Sequence, residues 1–455
     1  MDVLIAPGGT LRGSIAVPGD KSIAHRWLIL AATATGCSRV VGLPPSLDVR
    51  STAGCLAAIT DKARPSLDVF VRNAGPRVEG SGSTWNETIE EVADIALEVE
   101  GDGRVGLVAA GAALDCGNSG TTMRLLTGVL AAASFETVLT GDSSLSRRPM
   151  ERVADPLREM GASIQTVHGH APVSIRGGDL HGIRFAPSVP TAQVKGAVLL
   201  AGLAADGETT VAESAPTRDH TERALEALGA PLRVDDAGIH VSRFQHAGFD
   251  AQVPGDPSSA AFVIAAAALT GSRVSITGVG LNPSRLHFLN IMERMGVRTI
   301  RRIDRVQLGE PVGSIEVEAC DAISAVRVEP DELPLIIDEV PILAALAAHA
   351  SSESWFLETG ELRVKESDRL DAIATGIRSL GGVAAEEGSD LVVAGGGLDG
   401  GRVDAQGDHR MAMAFTIAAL AARGPCRVVG VQAADVSFPG FLSTMRELGA
   451  DLEPA

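Results

Sequence analysis

Tyrosine is absent from this 455-residue chain, and Trp and Phe number only 3 and 11. With so few rings, the interior must be built from Ala, Val, Leu and Ile, which favours closely packed helices and sheets over a large open cavity. Lysine is almost as scarce: Lys21, Lys62, Lys195 and Lys365 are the full set, and Arg carries nearly all other positive charge. Either the compact ammonium is needed at those places, or base composition favours Arg throughout. Positive charge is short overall, giving a net charge of −18. Nucleic acid and anionic membranes are therefore poor partners, although a local cationic cleft for small anions remains open. The five cysteines (Cys37, Cys55, Cys116, Cys320, Cys426) are scattered, odd in number and lack a CxxC, so they read as reduced thiols rather than a disulfide framework or zinc site. No apolar run reaches the ~18 residues of a membrane span. The opening MDVLIAPGGT has no basic stretch followed by a long apolar core. The expectation is a soluble, cytoplasmic protein.

What is present is repetition. VPGDKSIAHR at 17–26 and VPGDPSSAAF at 253–262 share one strand-to-helix junction. Before the first, Leu11, Gly13, Ile15 and Val17 alternate with Arg12, Ser14 and Ala16, the period of a half-buried strand. Before the second, Phe249, Ala251 and Val253 do the same. Each strand meets a Pro-Gly-Asp turn and an Ala-rich helix, for which a nearby Ser is read as the N-cap. Four more polar clusters open onto small-residue apolar helices, at Gly117, Thr191, Asp338 and Asp408. These helices are apolar nearly all round, so they are expected to be buried. Amphipathic helices lie between them, as in DRLDAIATGIRSLGG, with a Leu370, Ile373, Ile377, Leu380 stripe and Gly381 as the stop. The polar, Gly-rich interval 71–87 reads as a loop or hairpin insertion.

The chain is too long for one core. The expected fold is α/β: two similar domains, each of three α/β units around buried Ala-rich helices. The two VPGD segments are read as crossovers between the halves.

The chemistry is expected at the helix starts. Lys21 and Ser22 open a helix with Arg26 in its first turns, and unpaired N–H groups there suit phosphate. A P-loop is excluded, because Asp20 separates Gly19 from Lys21 and the GxxxxGK[ST] spacing is missing. Asn118, Ser119, Gly120, Thr121 and Thr122 precede a helix carrying Arg124, and Arg147 and Arg148 follow in LSRRPM. Lys365, Glu366, Asp368 and Arg369 crowd one helix start, where Glu366 and Arg369 are spaced to pair. His409 and Arg410 precede a helix too apolar to be exposed, so they must face a cleft or be paired. Asp338 sits between two apolar runs, where a carboxylate must cap, pair or react.

Taken together, PGDKSIAHR, GNSGTTMRLL, RRPM, TAQVK, RVKESDRL and DHRMAM resemble the 5-enolpyruvylshikimate-3-phosphate synthase family of enolpyruvyl transferases, in that family's order and from residue 18 to about 440. The resemblance implies transfer of the enolpyruvyl group of phosphoenolpyruvate to the 5-hydroxyl of shikimate 3-phosphate. It implies no metal, no organic cofactor, and domains that close on the substrates like a clamshell; the chain is expected to be a monomer. It also implies an inverse α/β barrel-like arrangement, with one domain over 18–252 and a second from 1–17 plus 253–455. By position, Lys21 matches a lysine touching both substrates, while Ser22, Arg26, Thr191, Ala192, Gln193, Arg218 and Lys365 match shikimate 3-phosphate contacts. Asn118, Gly120, Arg124, Arg148, Gln193, Arg369 and Arg410 match the phosphoenolpyruvate side. Asp338 and Glu366 resemble the acid/base carboxylates, with Asp338 nearest the 5-hydroxyl, and His409 a residue supporting the reacting groups. The second VPGD copy has Pro257 in place of Lys21, so Ser258 and Ser259 are read as helix caps only. Thr191 replaces a usual Ser, and Val436 stands where some members carry a phosphate-binding Lys. Gly120, which is Ala in some glyphosate-tolerant relatives, implies inhibition by glyphosate. The rival transferase acting on a UDP-amino sugar expects Lys-Asn where this chain has Lys21-Ser22. A non-catalytic binding paralogue does not need both Asp338 and Glu366.

Overall fold

The computed structural model describes residues 1–60 and 95–455; Lys62 and the interval 71–87 lie outside the described residues. Contacts gather the chain into two units. The N-terminal unit is Gly19–Val253 with Gln307–Glu310, and the C-terminal unit joins Met1–Pro18 to Pro254–Val306 and Pro311–Ala455.

The six apolar segments are helices: α1 (Lys21–Thr33), α2 (Gly120–Leu130), α3 (Ala192–Gly202), α4 (Pro257–Leu269), α5 (Val340–Ala348) and α6 (His409–Ala419). Every residue of α5 and all of α4 except Leu269 is buried. Small side chains make this possible. At Gly128 in α2, an added Cβ would lie 2.2 Å from the carbonyl oxygen of Ala197 in α3, so the two backbones approach as closely as glycine allows. Each unit has one apolar core, and α1–α3 and α4–α6 respectively run through it.

Among the described residues, three small sheets surround the helices of each unit. The repeated plan is a strand, a buried helix, a parallel strand, a second helix, and an antiparallel hairpin. One copy runs from Leu114–Asp115 through α2, Glu136–Thr140, the helix Glu151–Glu159 and Ser163–Val167 to His170–Arg176. A second runs from Arg184–Phe185 through α3, Thr209–Val211, the helix His220–Ala227 and Leu232–Asp235 to Gly238–Val241.

The two VPGD junctions carry the chain from one unit into the other. Strand Arg12–Ala16 pairs in parallel with Arg273–Gly280, which follows α4 in the C-terminal unit. The chain then passes Pro18 and Gly19 into α1 of the N-terminal unit. Strand Asp250–Gln252 pairs in parallel with Thr35–Leu43, which follows α1, before the chain enters α4. Each junction thus completes a sheet in one unit and starts a buried helix in the other. Asp2–Ile5 closes the last sheet between Cys426–Val429 and Leu452–Pro454.

The N-caps differ from the sequence expectation. Asp20 caps α1, accepting from the Ile23 N–H, and Asp256 caps α4, accepting from the Ser258 N–H. Asp and Ser are both good caps, and the residue directly before the helix takes the position. The stripe Leu370, Ile373, Ile377 and Leu380 is buried; the first three lie in a helix over Arg369–Ser379, and Leu380 is its C-cap. Among the described residues no helix is long and apolar enough to cross a membrane, and all five cysteines are free thiols.

Candidate active site

In the N-terminal unit the starts of α1, α2 and α3 bring cationic and amide side chains together. Lys21 Nζ donates to Asp48 Oδ2 at 2.7 Å, from the first turn of the helix Leu47–Ile59. Arg26 is buried; Nη1 donates to the Ser22 carbonyl at 2.8 Å, Nη2 to the Ala192 carbonyl at 3.3 Å, and Nε to the Thr221 hydroxyl at 2.9 Å. Burial pulls its pKa down to about 10, opposed first by the charge of Glu222. It therefore remains a cation at neutral pH, and one with few waters to displace.

The second cluster surrounds Gly120. Ser119 caps α2 by accepting from the Thr122 N–H at 3.1 Å. Arg124, one turn on, donates through Nη1 to Gln193 Oε1 at 2.5 Å, and Gln193 Nε2 donates to the Thr121 hydroxyl at 2.9 Å. Arg148 Nη2 donates to Asn118 Oδ1 at 2.6 Å, and Asn118 Nδ2 to Asp142 Oδ2 at 2.7 Å. A Cβ on Gly120 would lie 2.8 Å from Arg124 Nη1 and 3.3 Å from Arg148 Nη1, so glycine gives both guanidinium groups room against the helix start. The Thr191 side chain, at the N-cap of α3, makes no capping hydrogen bond. Arg218 is half-buried beside α1, where its charge acts on Arg26. Below this surface, hydroxyls link the helices: Ser119 accepts from Thr122 at 2.7 Å, Thr122 meets Thr52 at 2.6 Å, and Thr52 meets His25 Nδ1 at 2.6 Å.

The C-terminal unit holds the carboxylates. Arg369 is buried with its side chain 1% exposed. Glu366 Oε2 lies 2.7 Å from its Nη2, Asp408 Oδ2 2.8 Å from its Nε, and Asp338 Oδ1 3.8 Å from its Nη1. Burial opposes the charge on Arg369, but Glu366, Asp408 and Asp338 raise its pKa further above its ordinary value. For Asp408 burial pushes the pKa up, and Arg369 and His409 overcome it, so the carboxyl ends below its ordinary range. Lys365 Nζ is 3.7 Å from Asp338 Oδ1. Arg410 Nη1 donates to the Asp338 carbonyl at 2.5 Å and lies 3.5 Å from Glu339 Oε1. His409, at the start of α6, is buried. Asp338 does not cap α5; Glu339 occupies that position, with no side-chain capping bond. Asp338 therefore belongs to the ionic cluster.

The arrangement can do two kinds of chemistry. A set of Arg and Lys groups around helix starts suits phosphate and carboxylate anions. A half-exposed carboxylate held against a buried Arg, with a second carboxylate nearby, suits proton transfer.

A sequence profile of EPSP synthase (3-phosphoshikimate 1-carboxyvinyltransferase) matches residues 5–79 and 84–445. The 3-phosphoshikimate 1-carboxyvinyltransferase of Acidithiobacillus ferrooxidans is 43% identical over 454 residues, covering 99% of both chains. The Thermus thermophilus protein of the same name is 44% identical over 461 residues, covering 98% of both. The chain belongs to the EPSP synthase family. The solved EPSP synthase of Acinetobacter baumannii superposes with a TM-score of 0.83 at 37% identity, covering 99% of each chain, and that likeness extends to the two-domain α/β fold.

Within the family frame, the sequence reading missed several residues that hold the site together. Asp48 receives Lys21, Thr221 receives Arg26 and Glu339 lies against Arg410, while Glu213 and Glu222 pair with Lys195 and the charge of Glu222 acts on Arg26. No local pattern marks them, because their partners come from other helices. Asp408 was visible within the DHR segment, but its pairing with Arg369 across 39 residues was not. Ser258, expected as a cap, is not one: Asp256 caps α4, and the Ser258 hydroxyl donates to Glu339 and accepts from Arg285 at 2.8 Å.

Proposed function

We propose that the expected residues perform the family reaction, in which the enolpyruvyl group of phosphoenolpyruvate passes to the 5-hydroxyl of shikimate 3-phosphate and phosphate leaves. The observation carrying this reading is the match along nearly the whole chain at 43–44% identity, and the gathering of Asp338 and Glu366 around Arg369 supports it. The N-terminal unit is the shikimate 3-phosphate side, through Lys21, Ser22, Arg26, Thr191, Ala192, Gln193 and Arg218. Its Asn118–Gly120 loop, Arg124 and Arg148 serve phosphoenolpyruvate. Lys365 is read as a further shikimate 3-phosphate residue, Arg369 and Arg410 as phosphoenolpyruvate residues, and Asp338 and Glu366 as the proton-transfer carboxylates.

The chemistry needs three events. The methylene of phosphoenolpyruvate takes a proton, which makes its C2 electrophilic. The 5-hydroxyl loses its proton as its oxygen bonds to C2, giving a tetrahedral adduct. A proton then leaves the new methyl group as the C2–O bond to phosphate breaks, restoring the double bond. Asp338 is the group nearest the 5-hydroxyl in this reading, and Glu366 works at the methylene. Lys21 neutralises both anions, and His409 supports the reacting groups. The Arg and Lys set offsets the repulsion of two polyanions side by side. No organic cofactor or metal enters the scheme. The protein acts in the cytoplasm as a monomer, which sedimentation of the purified protein checks.

Phosphate release from phosphoenolpyruvate tests the reading. Purified protein with no added metal is expected to release phosphate with shikimate 3-phosphate and not with UDP-N-acetylglucosamine. Release with the sugar nucleotide alone, or with neither, overturns it.

A further inference from the structure

Lys195 lies in the first turn of α3, two residues past Gln193, yet its side chain is 1% exposed. Its ammonium sits between two carboxylates, with Glu222 Oε1 at 2.6 Å and Glu213 Oε2 at 2.8 Å, and it donates to the Thr217 carbonyl at 3.5 Å. An ammonium enclosed in this way does not meet a ligand. Three charged groups withdrawn from water gain little net stability, since desolvation offsets their attraction. Glu222 Oε2 is moreover buried without a hydrogen-bond partner. Stability therefore does not account for the cluster.

Its surroundings do. Thr221, next to Glu222, receives the hydrogen bond from Arg26 Nε. The charge of Glu222 is also the first to oppose the burial of Arg26, so one carboxylate serves two cations. The Thr217 hydroxyl donates to Glu213 at 2.5 Å, and its carbonyl receives Lys195. Arg218 lies within the segment so tied down. The start of α3, with Thr191, Ala192 and Gln193, is the third element, and the Ala192 carbonyl receives Arg26 Nη2.

We propose that Lys195, Glu213 and Glu222 form a positioning latch that sets shikimate 3-phosphate affinity without touching the ligand, by fixing Arg26, the segment carrying Arg218 and the start of α3 in one geometry. The proposal rests on the functional reading above. Groups held in place before the anion arrives lose little freedom on binding it. The latch reaches the shikimate 3-phosphate residues directly through Arg26 and the segment carrying Arg218, and the phosphoenolpyruvate side through Gln193, which accepts from Arg124 at 2.5 Å, so its larger effect is on the first substrate.

Two variants test it. Glu222→Gln keeps the shape and removes the charge shared by Lys195 and Arg26. The double variant Lys195→Met with Glu222→Gln removes the whole pair, which keeps the test decisive if the single change folds poorly. In both, the KM for shikimate 3-phosphate is expected to rise 10- to 100-fold while the KM for phosphoenolpyruvate moves less than threefold. Amide exchange over residues 213–220 of the ligand-free protein is expected to speed up at least tenfold. A folded double variant with an unchanged KM for shikimate 3-phosphate overturns the proposal, as does a proportional change in both KM values. A wild-type protein that fails to turn over shikimate 3-phosphate overturns the functional reading instead. The exchange comparison still decides the latch, which fails if the segment exchanges at the wild-type rate.

Discussion

Glu366 and Arg369 show how a single turn of helix serves two ends. Arg369 is buried among three carboxylates, whereas the side chain of Glu366 is 31% exposed and can meet a ligand while still held at 2.7 Å. Glu366→Gln keeps an acceptor for Arg369 and removes the carboxylate proposed for proton transfer. The kcat is expected to fall about 10²- to 10⁴-fold, with shikimate 3-phosphate binding by calorimetry nearly unchanged; turnover within threefold of wild type would remove Glu366 from the proton-transfer role. Gly120→Ala pushes on Arg124 and Arg148. The flexible guanidinium ends can move, so the protein should fold, with the KM for phosphoenolpyruvate raised about tenfold by the ~1.4 kcal/mol this displacement represents. Wild-type activity is expected to be inhibited by glyphosate and the Gly120→Ala variant to resist it; full wild-type activity at high glyphosate contradicts this. The identities of these residues were legible in the sequence because each motif is local. Their partners were not, since Asp48, Asp408 and Glu222 reach them through tertiary folding. Lys195 illustrates the difference: its scarcity and its place in TAQVK suggested chemistry, but burial between two glutamates makes it a supporting group.

At the scale of elements, the six buried helices follow directly from composition. Runs of Ala, Leu and Val without a polar face have nowhere stable to lie except a core, and glycine sets how near they come. Gly128→Ala places a methyl against the Ala197 carbonyl, which α3 cannot yield without moving its backbone. This should destabilise the fold by about 1–3 kcal/mol, read as a lower denaturant midpoint; an unchanged midpoint would mean that the α2–α3 approach is looser than described. The strand–helix junctions were legible too, because the period-2 alternation and the Pro-Gly-Asp turn are local signals. The caps were misplaced by two residues, since Asp20 and Ser22 are both capable acceptors and local sequence does not choose between them. Nothing in the sequence of Asp2–Ile5 announced that it closes a sheet with Cys426–Val429, a pairing made across the whole chain.

At the scale of the whole molecule, stability carries a pH signature. His25 is wholly buried against Thr52. Burial lowers its pKa to about 3, with the charge of Asp48 opposing and those of Lys21 and Arg26 assisting. Between about pH 6.5 and 3 the unfolded chain binds a proton at this position that the folded protein refuses. Stability is therefore lost as pH falls through that window, at up to about 1.4 kcal/mol per pH unit, and the contribution is flat above it. Denaturant melts of wild type and His25→Gln at pH 7.5 and 5 are expected to differ more in the wild type; equal differences would assign the acid sensitivity elsewhere.

In the proposed addition and elimination a proton passes onto and off the phosphoenolpyruvate methylene. Product formed in D₂O, with deuterium in its carboxyvinyl methylene measured by mass spectrometry, shows whether it does. A methyl group made by adding one solvent deuteron to the methylene loses either isotope, so deuterium is expected in the product. Product formed at normal yield with no deuterium would show that phosphate leaves without that protonation, and would contradict the account.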